Sequence, residues 1–117
     1  MMKKTKMLKK NYEFKNILRT GKYFSGRQIE AFIKNNKEEI NYLGIAVSVK
    51  VAKAVRRNKI KRIMRENYRN FENEIKTSKT IVFLWKKRAN IKEATFENIK
   101  KDMENILKKA NLFIEEN

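Results

Sequence analysis

Between Lys53 and Arg69 the chain reads KAVRRNKIKRIMRENYR, eight Lys or Arg against one Glu in seventeen residues. Arg carries a planar fork of N–H donors that can grip a phosphate twice, Lys brings a point charge, and Asn58 adds a donor and an acceptor. At about 100° per residue, Ile60, Ile63, Met64 and Phe71 share one side of a helix, while Asn58, Lys61, Arg62, Arg65 and Arg69 gather on roughly the opposite one. The run is therefore one helix with a dry face and a cationic face. Closely spaced cations gain most when phosphates displace their counterions, so the partner selected is a polyanion. A merely solvated face would mix signs at i, i+4 spacing, whereas here only Glu66 stands near the margin. Lys50, Lys53 and Arg57 add charge at the helix entry, where free backbone N–H groups also attract phosphate.

Bond-breaking chemistry has little to work with. His and Cys are absent, which removes the commonest general base and any thiolate ligand or nucleophile. Asp102 is the only Asp, and the twelve Glu are scattered, often beside Lys, without the paired spacing of a metal-ion nuclease. No residue is assigned a catalytic or metal-ligating role, and the carboxylates read as solubilising. A second constellation is aromatic. Phe14 and Leu18 share a face of the first helix and Phe32 lies on the strand after it, with Tyr12, Tyr23 and Phe24 nearby. Core packing is the ordinary role of such residues; stacking of unpaired bases, worth roughly 1–3 kcal/mol each, is the other.

These groups must be positioned by 117 residues, enough for a single domain, 1–117, with one modest core. The termini, 1–7 and 114–117, are basic or polar, and the pattern leaves their order open. The net charge of +17 points to nucleic acid, an anionic surface or an acidic protein as partner. The N-terminus lacks the apolar stretch of a secretion signal, and no segment approaches the roughly 18 apolar residues of a membrane span. A cytoplasmic location without membrane contact is the expectation. With no Pro and three Gly, nothing divides the chain.

Asn11 to Arg19 is a short amphipathic helix ending near Gly21. Arg27 to Lys34 alternates, placing Ile29, Ala31 and Ile33 on one face and Glu30 and Phe32 on the other, and Tyr42 to Val49 reads as a central strand. The basic helix runs from Ala54 to Phe71. Thr80 to Trp85 is a continuous apolar run, as in a strand covered on both faces, and Thr95 can cap a last helix bearing Phe96, Ile99, Met103, Ile106 and Leu107. The fold expected is α+β, a mixed sheet of about four strands packed with three helices in the order α-β-β-(β)-α-β-α. An extra short strand is placed near the first hairpin, and the basic helix links two parallel strands. By base rate that crossover is right-handed. Such a fold leaves a sheet face, or a groove beside the first helix, free to bind. Folded RNA suits the basic face better than duplex DNA, since no second helix at helix-turn-helix spacing and no zipper heptads accompany it.

The same residues resemble the protein component of bacterial ribonuclease P. The family's run Ser-Lys-Lys-x-Gly-Asn-Ala-Val-x-Arg-Asn-Arg-x-Lys-Arg is matched by Ser48, Val49, Lys50, Val51, Ala52, Lys53, Ala54, Val55, Arg56, Arg57, Asn58, Lys59, Ile60, Lys61 and Arg62. Lys59 stands for the second Arg of Arg-Asn-Arg, Ala52 and Lys53 for Gly-Asn, and Val49 for a Lys. LKKNYEFKNILRTGKYFSGR before it, and TIVFLWKK with ATFENIKKDMENIL after it, extend the likeness from about Leu8 to Leu112.

The resemblance implies an accessory subunit of an endoribonuclease that removes the 5′ leader of precursor tRNA. In that arrangement a catalytic RNA and its Mg²⁺ ions do the chemistry. Lys53, Arg57, Asn58, Lys59, Lys61, Arg62 and Arg65 would dock on the catalytic RNA. Phe14, Leu18, Phe32, Ser48 and Lys50 would line or edge a cleft for the single-stranded leader, with Leu18 where an aromatic is often found. It also implies a left-handed crossover at the basic helix, against the base rate. The alternative is a non-enzymatic RNA-binding protein, ribosomal or chaperone, using the same helix.

Overall fold

The computed structural model describes residues 4–115; Met1, Met2, Lys3, Glu116 and Asn117 lie outside the described residues. Strand β1 (Thr5–Met7) precedes α1 (Asn11–Thr20), β2 (Lys22–Ser25), β3 (Ile29–Asn35), β4 (Asn41–Ala46) and α2 (Ala54–Phe71). A short 3-10 turn (Glu72–Glu74), β5 (Lys79–Trp85), a second such turn (Ile91–Glu93) and α3 (Phe96–Lys109) complete it. The strands form one sheet in the order β1-β4-β5-β3-β2. β4 and β5 are parallel neighbours joined through α2, β1 is parallel to β4, and β2, β3 and β5 pair antiparallel.

The α+β class, the three helices and their order are those the pattern predicts, and α2 has the predicted ends. The sheet has five strands rather than about four. β2 is the short strand expected near the first hairpin; β1 lies in the segment 1–7 whose order was open. Its three residues, TKM, carry no readable alternation, and tertiary bonds fix them instead. Thr5 Oγ1 lies 2.7 Å from the Tyr68 hydroxyl, and backbone N–H groups of Leu8 and Asn41 donate across the β1–β4 seam to Leu43 and Lys4 at 2.8 Å. The central strand also ends earlier than Val49, because the chain turns at Ser48, whose carbonyl accepts from the Val51 N–H.

Strand periodicity sorts the two faces of the sheet. Ile29, Ala31 and Ile33 of β3 and Ile81, Phe83 and Trp85 of β5 are buried beneath Ile60, Met64, Tyr68 and Phe71 of α2 and Ile99, Met103, Ile106 and Leu107 of α3. Glu30 and Phe32, between those β3 positions, are only partly buried and face the other way. α1 covers part of that second face through Ile17.

Not all carboxylates are solubilising. Asp102, on α3, is 2% exposed. It accepts from the backbone N–H groups of Arg27 (2.9 Å), Gln28 (2.6 Å) and Ile29 (3.0 Å). Three donors converging on one carboxylate pin the β2–β3 turn to α3. Gly26 passes so close that a Cβ there would meet the Asp102 carboxylate at 2.9 Å. Glu72 is also buried and accepts from the Lys4 N–H at 3.2 Å. Neither was visible as structural in the sequence, because their donors are backbone groups 68 or more residues away.

Candidate nucleic-acid interface

α2 spends its apolar stripe on the core and turns its cations outward. Lys53, Asn58, Lys59 and Arg62 are exposed, and Lys61 and Arg65 are half-buried on the flanks of the helix. Arg57, also half-buried, differs from the other six in donating to the Ala52 carbonyl at 2.6 Å, closing the turn ahead of the helix. One guanidinium edge is thereby used inside the chain. Lys53 occupies the N-cap position, makes no side-chain cap, and no acidic residue stands in the first turn. An Asn there, as in the family pattern, would satisfy one of the free amides; Lys has no acceptor, so the amides stay open to an outside anion. Val55, 83% exposed on the same outer surface, is an apolar member that a charge-based reading passes over.

A cleft of about 610 Å³ opens on the opposite sheet face, between α1 and the ends of β4 and β5. Its floor is aromatic: the Tyr23 and Phe32 rings, on facing positions of β2 and β3, sit 5.1 Å apart, tilted by 53°. Leu18 forms the α1 side, Ser48 and Leu84 further wall, and Lys86, Lys87 and Arg88 the cationic rim. Lys86 Nζ donates to the Gly26 carbonyl at 2.6 Å and to Ser25 Oγ, bracing the rim against the β2–β3 turn.

Of the five residues expected at this cleft, Leu18, Phe32 and Ser48 come together there. Phe14 and Lys50 do not line it. Phe14 is packed onto the sheet instead, where a Cβ on Gly44 would meet its ring carbons at 2.7 Å. With Ile17 it seats α1 on the sheet. Lys50 is exposed on the turn past Ser48, held by its N–H to Ser48 Oγ at 3.2 Å. Glu30, Leu84 and the rim Lys86 to Arg88 were missed. The rim had a signal: three cations directly after a buried strand, at the end where β5 runs parallel to β4. Trp85 brings a buried indole N–H with no hydrogen-bond partner in the structure.

A mixed sheet with a cationic helix turned out on one side and an aromatic, cation-rimmed cleft on the other defines a small basic RNA-binding protein. The Ribonuclease P family model matches residues 2–111, and the chain belongs to the ribonuclease P protein family. It is 38% identical over 112 residues to the ribonuclease P protein component of Clostridioides difficile, covering 95% of this chain and 96% of that one. Among solved structures, the Staphylococcus aureus RNase P protein superposes with a TM-score of 0.81 at 36% identity, over 92% of this chain and 97% of that one. The Thermotoga maritima protein gives 0.79 at 29% identity, over 95% and 99%. The role is that of a ribonuclease P subunit, part of an endoribonuclease with an RNA partner, and nothing supports a ribosomal or chaperone role. Among the described residues no helix is long and apolar enough to cross a membrane.

Proposed function

We propose that this chain is the accessory subunit of its ribonuclease P, acting in the cytoplasm as one RNA-binding domain that positions RNA while the catalytic RNA cleaves the 5′ leader from precursor tRNA. The observation that carries this reading is the outer face of α2. Lys59, Lys61, Arg62 and Arg65 are aligned on a helix whose other side is anchored in the core, and none is tied to a partner among the described residues. That face docks on the catalytic RNA, neutralising crowded phosphates. The cleft around Tyr23 and Phe32 holds the unpaired leader, and holding it in register turns binding energy into positioning.

The described residues bring together no group of three or more His, Cys, Asp or Glu suited to a metal ion. In this reading the Mg²⁺ ions belong to the RNA partner. The test is reconstitution. Adding the chain to the catalytic RNA at low Mg²⁺ should restore leader cleavage to an RNA that is slow alone; an RNA equally slow with and without it would overturn the reading.

A further inference from the structure

Glu30 is the single carboxylate among the residues lining the cleft. In a groove rimmed by Lys86, Lys87 and Arg88 and suited to a polyanion, a negative charge repels the backbone of the occupant. It therefore needs a reason to be there. Its register places it opposite Ser25 on β2 and Leu84 on β5, on the same face as Phe32 and about 7 Å along the strand from it. Its side chain is half-buried and makes no hydrogen bond or ion pair among the described residues. Lys86, the cation whose placement is fixed by the β2–β3 turn, is committed to Ser25 and Gly26. Glu30 is thus an open acceptor beside a stacking platform, at a distance comparable to the width of a base.

An ionised carboxylate accepts and cannot donate. Unpaired bases held on aromatic rings expose their Watson–Crick edges to such groups. Guanine presents N1–H and the N2 amino group side by side, two donors for two carboxylate oxygens. Adenine and cytosine present one amino donor next to a ring acceptor. Uracil presents a single N–H between two carbonyls, both of which repel a carboxylate. We infer that Glu30 reads the edge of one leader base stacked at Tyr23 and Phe32, favouring guanine and rejecting uracil. The inference rests on the leader-cleft reading above and adds to it a base preference with a named residue.

The experiment uses holoenzyme reconstituted from this chain and the catalytic RNA, with a panel of precursor tRNAs carrying each of the four bases at each leader position. For the wild type, kcat/KM should favour G over U at one position by about tenfold, the scale of one bidentate base contact. Glu30→Gln replaces one acceptor by a donor, so it should move the preference at that position from G to A, whose amino group and ring nitrogen complement an amide. Should that variant fold poorly by circular dichroism, Glu30→Ala should lose the G preference without gaining one for A. A leader profile unchanged by either variant overturns the role of Glu30. Phe32→Ala separates that outcome from failure of the cleft reading. Selective weakening of precursor tRNA over leaderless tRNA supports the cleft, whereas equal weakening of both removes the cleft and this inference with it.

Discussion

The outer face of α2 and the cleft beneath α1 lie on opposite sides of the same sheet, and they differ in how they are built as much as in what they present. The α2 face comes from one contiguous helix, every cation supported by the same buried stripe of Ile60, Met64 and Phe71. The field of such a face is long-ranged and screened by salt. The cleft is assembled from α1, β2, β3, β4 and β5 and the segment after β5, and it offers rings, one acceptor and a rim of cations. Its rings act only at van der Waals range. The first surface tolerates local error, because neighbouring cations share the load; the second depends on separate elements meeting in register.

The sharpest way to break that contrast is to discharge α2 alone. Lys59→Ala, Arg62→Ala and Arg65→Ala together remove three cations that make no bond among the described residues, leaving Arg57 to hold the turn at Ala52. Binding to the catalytic RNA should weaken by roughly 4 kcal/mol, about a thousandfold. The slope of log affinity against log salt should fall by up to about 0.9 for each lost contact. Filter binding across a salt series reads both, and a folded variant with unchanged slope would show that α2 does not face the RNA phosphates.

Asp102 attacks the opposite surface without touching a cation. Asp102→Ala leaves three backbone N–H groups at the β2–β3 turn without their shared acceptor, in a place where the carboxylate is 2% exposed. Unfolding in urea should show a loss of about 3 kcal/mol. Because the turn carries Ser25, and Ser25 braces Lys86 at the cleft rim, precursor tRNA should lose affinity in the surviving folded protein while the salt slope for catalytic RNA stays as in wild type. If both surfaces weaken in proportion, the two are mechanically one unit and the contrast fails.

The two surfaces were unequally legible for the same physical reason. A helix places its face by a period fixed in the chain, so the residues from Asn58 to Arg69 could be sorted by spacing alone and α2 ended where the pattern ended. The cleft depends on which strands become neighbours, and spacing along the chain does not carry that. Leu18, Phe32 and Ser48 were named through the family resemblance, and the structure brings all three to the cleft. Glu30 and Leu84 were not, because a Glu in an alternating strand and a Leu in an apolar run look like solvent and core until β3 and β5 pair. Phe14 was placed at the cleft through the same resemblance, and Gly44 beneath it reveals the packing role. β1 was hidden for a related cause: what orders it is Tyr68, which projects from the dry face of α2, 63 residues away from Thr5.

Tyr68 therefore ties the two halves of the contrast together, and it yields the smallest and most specific effect. Its hydroxyl meets Thr5 Oγ1 at 2.7 Å and accepts from Asn41 Nδ2 at 3.3 Å. Burial pushes its pKa above the ordinary tyrosine value; the hydrogen bonds to Thr5 and Asn41 oppose that push and the Glu72 charge adds to it. The native chain then keeps a proton that the unfolded chain releases once pH passes about 10, so this stability is fully present below that pH and is lost as pH rises from there through the native pKa. Tyr68→Phe should cost about 1 kcal/mol at neutral pH through the lost hydrogen bonds, with the loss read as faster amide exchange at Leu8 on the β1–β4 seam. The gap between wild type and variant should narrow in urea titrations as pH is raised from 9 to 11, because only the wild type carries the raised group. A gap that stays constant would mean that Tyr68 ionises alike in both states, and its burial would then not be what holds β1. Affinity for catalytic RNA at neutral pH should not move, since the hydroxyl points into the core network and away from the cations of α2.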